Sequence, residues 1–266
     1  MAIEDFADRK CCVIFYKIGP WAVTSYYLRY LTVAFFLIAA LYSFLKVRTL
    51  SWSLSGGKWS YLGGIALLAL CGILLGVKIL SGTCCPDNPV KLAFPLGKGS
   101  YSILQGGSNG MTNPFHAMSE DGKYAIDIIE IGKLGNRATN FLPESLAQYH
   151  IFGNAVYSPC SGKVISAVDG LPDNMPTKVD REHTAGNHIV IKCKNIKVLL
   201  AHLKKGSVKI ETGKSVKEGQ RIGEVGNSGN SDEPHLHIQA NRLDDQPVAI
   251  LFGDRFVSTN DLYVVK

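Results

Sequence analysis

The chain has 266 residues, 46% of them hydrophobic, enough for one good-sized domain and something more. Its formal charge of +6 is unevenly placed: residues 1–85 hold 8 Lys and Arg against 3 Asp and Glu, and the remainder 20 against 19. The C-terminal part has no basic stripe interleaved with aromatics, which excludes nucleic acid as the expected partner.

Two uncharged runs come first in chain order, "YLTVAFFLIAALYSFL" over residues 30–45 and "YLGGIALLALCGILLGV" over residues 61–77. Each has about the minimum length that spans a bilayer, with Trp and Tyr at the edges where they suit the interface. The expectation is an N-terminal tail (1–29), then two transmembrane helices within 30–80 (about 30–45 and 61–77) joined by a short loop; the first can be extended only by including Arg29, which could snorkel. A cleavable signal peptide fits poorly, because the first run starts late and no small-residue cleavage site follows it. Lys46, Arg48 and Lys58 between the runs face Arg9, Lys10, Lys17 and Arg29 before them. Counting basic residues therefore gives no orientation.

Residues 81–92, beginning "SGTCCPDNPV", read as a linker. Beyond them proline and glycine punctuate short runs such as "KYAIDII", "GKVISAV", "NHIVIKC", "KVLLAHL", "RIGEVG" and "HLHIQA". Several alternate polar with apolar or are rich in Val and Ile, which predicts a mainly β domain over 93–266. One short helix is expected at "NFLPESLAQYH", residues 140–150, and a long surface loop at 170–186. Seven cysteines without a CxxC give a cysteine-ligated zinc site little support. Cys160 and Cys193 can pair in an oxidising compartment, although nothing in the sequence requires it.

Candidate ligands gather in three places. "NPFHAMSEDGKYAIDI" holds His116 and Asp127, "LLAHL" holds His202, and "EPHLH" holds His235 and His237. In a strand, residues i and i+2 share a face, so His235 and His237 are expected side by side. A hydrolytic zinc site takes three N or O ligands and keeps a fourth position for water. Two histidines and a carboxylate from separate β segments meet that need, and further histidines can orient the water or stabilise an oxyanion. His188 reads as structural or substrate-lining, His183 as solvated, and His150 as the end of the expected helix. Asp232 and Glu233 read as turn formers.

Together, "YSPCSGKV", "GNHIVI", "LLAHL" and "VKEGQRIGEVGNSGNSDEPHLHIQA" resemble the lysostaphin-like (LytM-type) zinc metallopeptidases, over about residues 93–250. The resemblance implies an antiparallel β-sheet peptidase domain that binds Zn²⁺ and cuts peptide crosslinks of bacterial peptidoglycan. It implies His237 and Asp127 as ligands, with His202 and His235 as catalytic, non-ligand histidines. The family's first ligand normally lies four residues before the aspartate, in HxxxD, where this chain has Lys123, a poor ligand. Members with an Asn-x-x-His segment ahead of a Tyr-Ala-x-Asp strand resemble the present arrangement, which makes His116 the third expected metal ligand.

A peptidoglycan substrate implies a bacterial inner-membrane protein with its catalytic domain on the extracytoplasmic side. The inter-span loop would then be cytoplasmic. The alternative that Lys123 motivates is a catalytically inactive domain of the same type that binds cell wall or activates a partner hydrolase; a protein activator of this chain is a further possible partner. A closed, zinc-stabilised interaction module would want a fourth protein ligand, and no cysteine sits inside the motifs to supply it.

Overall fold

The structure is a computed structural model and describes residues 21–48 and 57–266. The expected tail up to residue 20 and residues 49–56 of the inter-span loop lie outside the described residues. Three α-helices are described: α1 (Trp21–Thr24), α2 (Leu28–Arg48) and α3 (Gly57–Gly82). Both expected spans are helical. Taken over the described residues alone, however, no helix is long and apolar enough to cross a membrane.

The strands in chain order are β1 (Val90–Leu92), β2 (Gly99–Gln105), β3 (Ile126–Glu130), β4 (Ala155–Tyr157), β5 (Gly162–Val168), β6 (Asn187–Cys193) and β7 (Ile196–Leu203). They continue with β8 (Ser215–Val216), β9 (Arg221–Glu224), β10 (Leu236–Arg242), β11 (Pro247–Val248), β12 (Ile250–Phe252), β13 (Arg255–Phe256) and β14 (Leu262–Val265). The main sheet runs β14-β2-β3-β10-β7-β6-β5-β8, with β11 also on β10. Every pairing in it is antiparallel, as a mainly β reading requires. A small sheet, β1-β12-β13, contains the parallel pair β1–β12, so Val90–Leu92 at the end of the expected linker is strand.

Alternation sets the two faces of the sheet. In β10, Leu236, Ile238 and Ala240 point into the main core, joined there by Val198 and Leu200 of β7, Ile189 and Ile191 of β6, and Ile126 and Ile128 of β3. The intervening residues of the same strands, His237 and Asp127 among them, are left for the other face. Cys160 and Cys193 form a disulfide, which joins the segment entering β5 to the end of β6.

Two expectations change. The helix over 140–150 is only a single 3₁₀ turn, Leu146–Gln148. Pro143 disfavours helical backbone before it. The Gln148 side chain accepts from the Glu144 and Ser145 amides, and Tyr149 is drawn into a β-bridge with Ala138. His150 therefore ends no helix. Arg29 does not snorkel: it is 1% exposed, donates to the Asn260 carbonyl at 2.9 Å, and lies 3.5 Å from the centre of the Tyr26 ring. Ala22 and Tyr26 pack on Ile129 and Ile131, so the α1–α2 corner is docked on the β domain.

Candidate metal centre

The site lies on the face of the sheet opposite the main core, at the join of β3 and β10. His237 and Asp127 are direct cross-strand partners, and directly opposed residues share a face. His237 Nδ1 lies 2.9 Å from Asp127 Oδ1. The second carboxylate oxygen, Oδ2, lies 2.9 Å from His116 Nε2, which arrives from the loop between β2 and β3. One ligand atom from each of His116, Asp127 and His237 falls within 4.8 Å of the others. Lys123 is exposed on the same loop, its ammonium 5.4 Å from the Tyr124 ring, well placed for solvent and not for a cation.

His202 and His235 complete a cluster of four imidazoles. Their rings are 4.8 Å apart, and the His202 ring is 5.7 Å from that of His237. His235 Nε2 is 3.7 Å from Asp127 Oδ1. The position of His202 is not what strand alternation would give. Ala201 is the residue opposite His237, so on a regular strand His202 would point into the core beside Leu200. Instead the β6–β7 register shifts between Asn187 and Ile189, and His202 takes φ +60°. A left-handed residue at a bulge re-aims its side chain, and the strain is tolerated only where the surroundings enforce it.

The hydrogen bonds fix which nitrogen of each ring faces inward. A carbonyl can only accept, so His202 Nδ1 donates to Ser228 O at 2.9 Å and His235 Nδ1 to Glu233 O at 2.8 Å. Each leaves the Nε2 lone pair toward the cluster. His237 Nε2 donates to Gln239 Oε1 at 3.2 Å, leaving Nδ1 for the Asp127 side. Partners of this kind set tautomer and ring orientation at metal sites.

Burial alone would raise the Asp127 carboxyl. The positive charge that His235 carries when protonated, and the hydrogen bonds that His116 and His237 donate when protonated, outweigh it and hold the group well below the usual carboxylate range. Burial, then the charges of His235 and His237, pushes His202 well below its ordinary value, so it is a neutral imidazole at neutral pH.

Of the other histidines, His183 is exposed and pairs with Asp180 at 2.8 Å. His188 donates to the Gly186 carbonyl at 2.8 Å, and His150 packs beside Gly132. Arg137 was not singled out in the sequence, and Glu233 passed as a turn former. Arg137 Nε and Nη2 donate to the two carboxylate oxygens of Glu233, both at 2.6 Å, which pins the segment whose carbonyl orients His235. No spacing signal marks a partnership across 96 residues. Ser228, the carbonyl partner of His202, was likewise missed inside a glycine-rich turn.

An open cluster of one carboxylate and several imidazoles on a β-sheet is a donor set of the kind that catalytic zinc sites use. Residues 148–250 match the model of Peptidase family M23, a segment that contains His202, His235 and His237 and begins after Asp127. That match falls on the motifs that resemble the lysostaphin-like zinc peptidases.

Among solved structures, it is similar to a zinc-containing peptidase from Vibrio cholerae, at 23% identity over 60% of this chain and 39% of that one, TM-score 0.37. It is similar to the catalytic domain of the antimicrobial peptidase lysostaphin from Staphylococcus simulans, at 19% identity over 59% and 82%, TM-score 0.30. A putative peptidase M23 from Pseudomonas aeruginosa is 16% identical over 63% and 51%, TM-score 0.35. The likeness spans less than two thirds of the Vibrio and Pseudomonas chains.

Proposed function

We propose that this chain is a membrane-anchored zinc metalloendopeptidase that hydrolyses peptide bonds, with peptidoglycan crosslinks as its substrate. The carrying observation is the place of His116: eleven residues upstream of Asp127, its Nε2 still reaches Oδ2 at 2.9 Å. That supports His116 as the donor in place of Lys123, whose presence motivated the inactive alternative. The donor set fits the metal. Both oxygens of a buried carboxylate face imidazole nitrogens where a proton or a cation must be shared, and the three groups belong to the types zinc prefers.

In this reading His116 Nε2, Asp127 and His237 Nδ1 hold Zn²⁺. When bound there, zinc would supply a Lewis acid and lower the pKa of a coordinated water. The chain's own part falls to His202 and His235. Each turns an Nε2 lone pair toward the cluster, placed to take a proton from a nucleophilic water. Either can afterwards hold that proton for the leaving amine or donate to a developing oxyanion. Ser228 O and Glu233 O keep both rings oriented throughout.

Support for the anchor comes from the uncharged runs 30–45 and 61–77 and from the apolar side chains they expose. Phe35, Ile38, Tyr42, Leu67 and Ile73 are each more than 60% exposed, which water disfavours and lipid does not. The division into tail, two spans, linker and domain, and the bacterial inner-membrane address with the domain outside the cytoplasm, belong to the same proposal. A disulfide is at home in that oxidising compartment.

The test is zinc content and peptidoglycan digestion by the full chain in detergent, beside His116→Ala. One equivalent of zinc and release of new amino termini in the parent, both lost in the variant, is the expected result. A folded parent that takes up no zinc would leave the wall-binding or hydrolase-activating alternative.

A further inference from the structure

Helix α3 ends at Gly82, where the Thr83 and Cys84 amides close the last turn on Leu80 O and Ser81 O at 3.1 and 3.2 Å. The loop after β2 adds further donors and takes the Gly82 carbonyl. Asn109 Nδ2 donates to Lys78 O at 2.8 Å, and Ser108 Oγ to Ser81 O at 3.2 Å. Gly82 O accepts the Ser108 amide at 2.8 Å and Thr112 Oγ1 at 3.2 Å. The joint is tight enough to need glycine on both sides. A Cβ on Gly82 would come within 2.5 Å of Asn109 and Thr112 side-chain atoms, and one on Gly107, at φ +110°, within 2.8 Å of Gly82 O.

From this joint the chain runs to His116 without slack. Asn109 O accepts the Thr112 and Asn113 amides at 3.1 and 2.9 Å, and Asn113 O accepts the Ala117 amide at 2.9 Å, so His116 sits within a wound turn. Asn113 is fully buried. Its Nδ2 donates to Ala125 O at 3.0 Å, two residues before Asp127. Among the described residues its Oδ1 has no donor. A buried, unpaired acceptor costs stability, so this amide is a poor choice for packing alone.

A histidine on the turn next to its aspartate needs no such bracing. Here ten residues intervene, including the exposed Glu120 and Asp121, and their freedom must be removed before the ligand pair forms.

We propose that the carbonyl end of α3 is the fixed point that positions His116, with Asn109 and Asn113 as positioning residues. The helix preceding the domain is thereby part of the metal centre's supporting shell. The inference rests on the metal reading above.

The test measures zinc affinity of the full chain in detergent by chelator competition, together with the unfolding midpoint of the zinc-free protein. Asn113→Asp, which removes the donor at nearly constant shape, and Gly82→Val are expected to weaken zinc about 10–100-fold. Asn109→Ala is expected to weaken it about 10-fold, and the exposed Lys123→Ala not at all. The zinc-free midpoint of Asn109→Ala should fall only modestly, as its lost hydrogen bonds require, while zinc weakens at temperatures where the variant is fully folded; a purely structural role would move that midpoint and leave zinc alone.

Parental zinc affinity in all three joint variants, with His116→Ala still losing the metal, would overturn this inference and leave the metal reading standing. A parent that binds no zinc overturns both. Should Asn113→Asp or Gly82→Val fail to fold, the half-buried Asn109 decides alone.

Discussion

At the scale of single residues, the roles proposed for the histidines follow from which nitrogen each one spends on its outer partner. His202 and His235 spend Nδ1 on carbonyls, while His237 spends Nε2 on Gln239. Replacing His202 or His235 with alanine should therefore cost about 10²–10⁴-fold in peptide hydrolysis, the usual worth of a general acid or base, with zinc content kept. Metal analysis beside a peptidase assay checks both halves. Zinc lost from either variant would move that histidine into the ligand set.

Tyr149 gives the pH dependence a clear sign. Burial first, then the Glu233 carboxylate, pushes its phenol up to about 12. A phenol whose folded pKa is raised favours the protonated fold. The stability it contributes is complete below about pH 10, the unfolded value, and is lost as pH climbs to about 12. Urea midpoints between pH 9 and 12 should fall across that window, and fall less in Tyr149→Phe.

Among the elements, β3, β7 and β10 carry the candidate site because they carry the core on their other face. Ile238 is fully buried between His237 and Gln239, which face the candidate site. Ile238→Ala should cost about 2–5 kcal/mol through lost burial and a residual cavity, read from urea denaturation. The turn beneath His202 is a more exacting spot. Gly186 has φ +57°, and a Cβ there would lie 2.4 Å from the Ser228 carbonyl group. Gly186→Ala must then shift backbone, at about 1–3 kcal/mol for the left-handed conformation alone. It displaces the carbonyl that orients His202, so hydrolysis should fall further than the loss of folded protein explains.

β10 was legible because its two-residue alternation is local. The 140–150 segment misled because an apolar pattern with a proline inside it also fits a capped turn that joins a β-bridge. The bulge in β7 was invisible, since only tertiary contacts force a histidine into left-handed backbone.

For the whole molecule, the disulfide and the helices fix the β domain in its setting. Cys160 and Cys193 close a loop across 33 residues, which restrains the unfolded chain by about 3–4 kcal/mol in the loop-entropy model. Cys160→Ser should lower the unfolding free energy by about that much, and reducing agent should destabilise the parent and spare the variant.

The sequence by itself determined the class of chemistry. Imidazole and carboxylate side chains at fixed strand spacing, among glycine-punctuated β runs, are local facts that survive without coordinates. It also marked the uncharged runs 30–45 and 61–77, because length and charge are counted along the chain. Tertiary structure alone decided how His116 comes to Asp127 across eleven residues, how a bulge turns His202 out of the core, and how Arg137 holds Glu233. Each of these depends on groups far apart in the chain meeting in a register that only the closed sheet and the docked helices set.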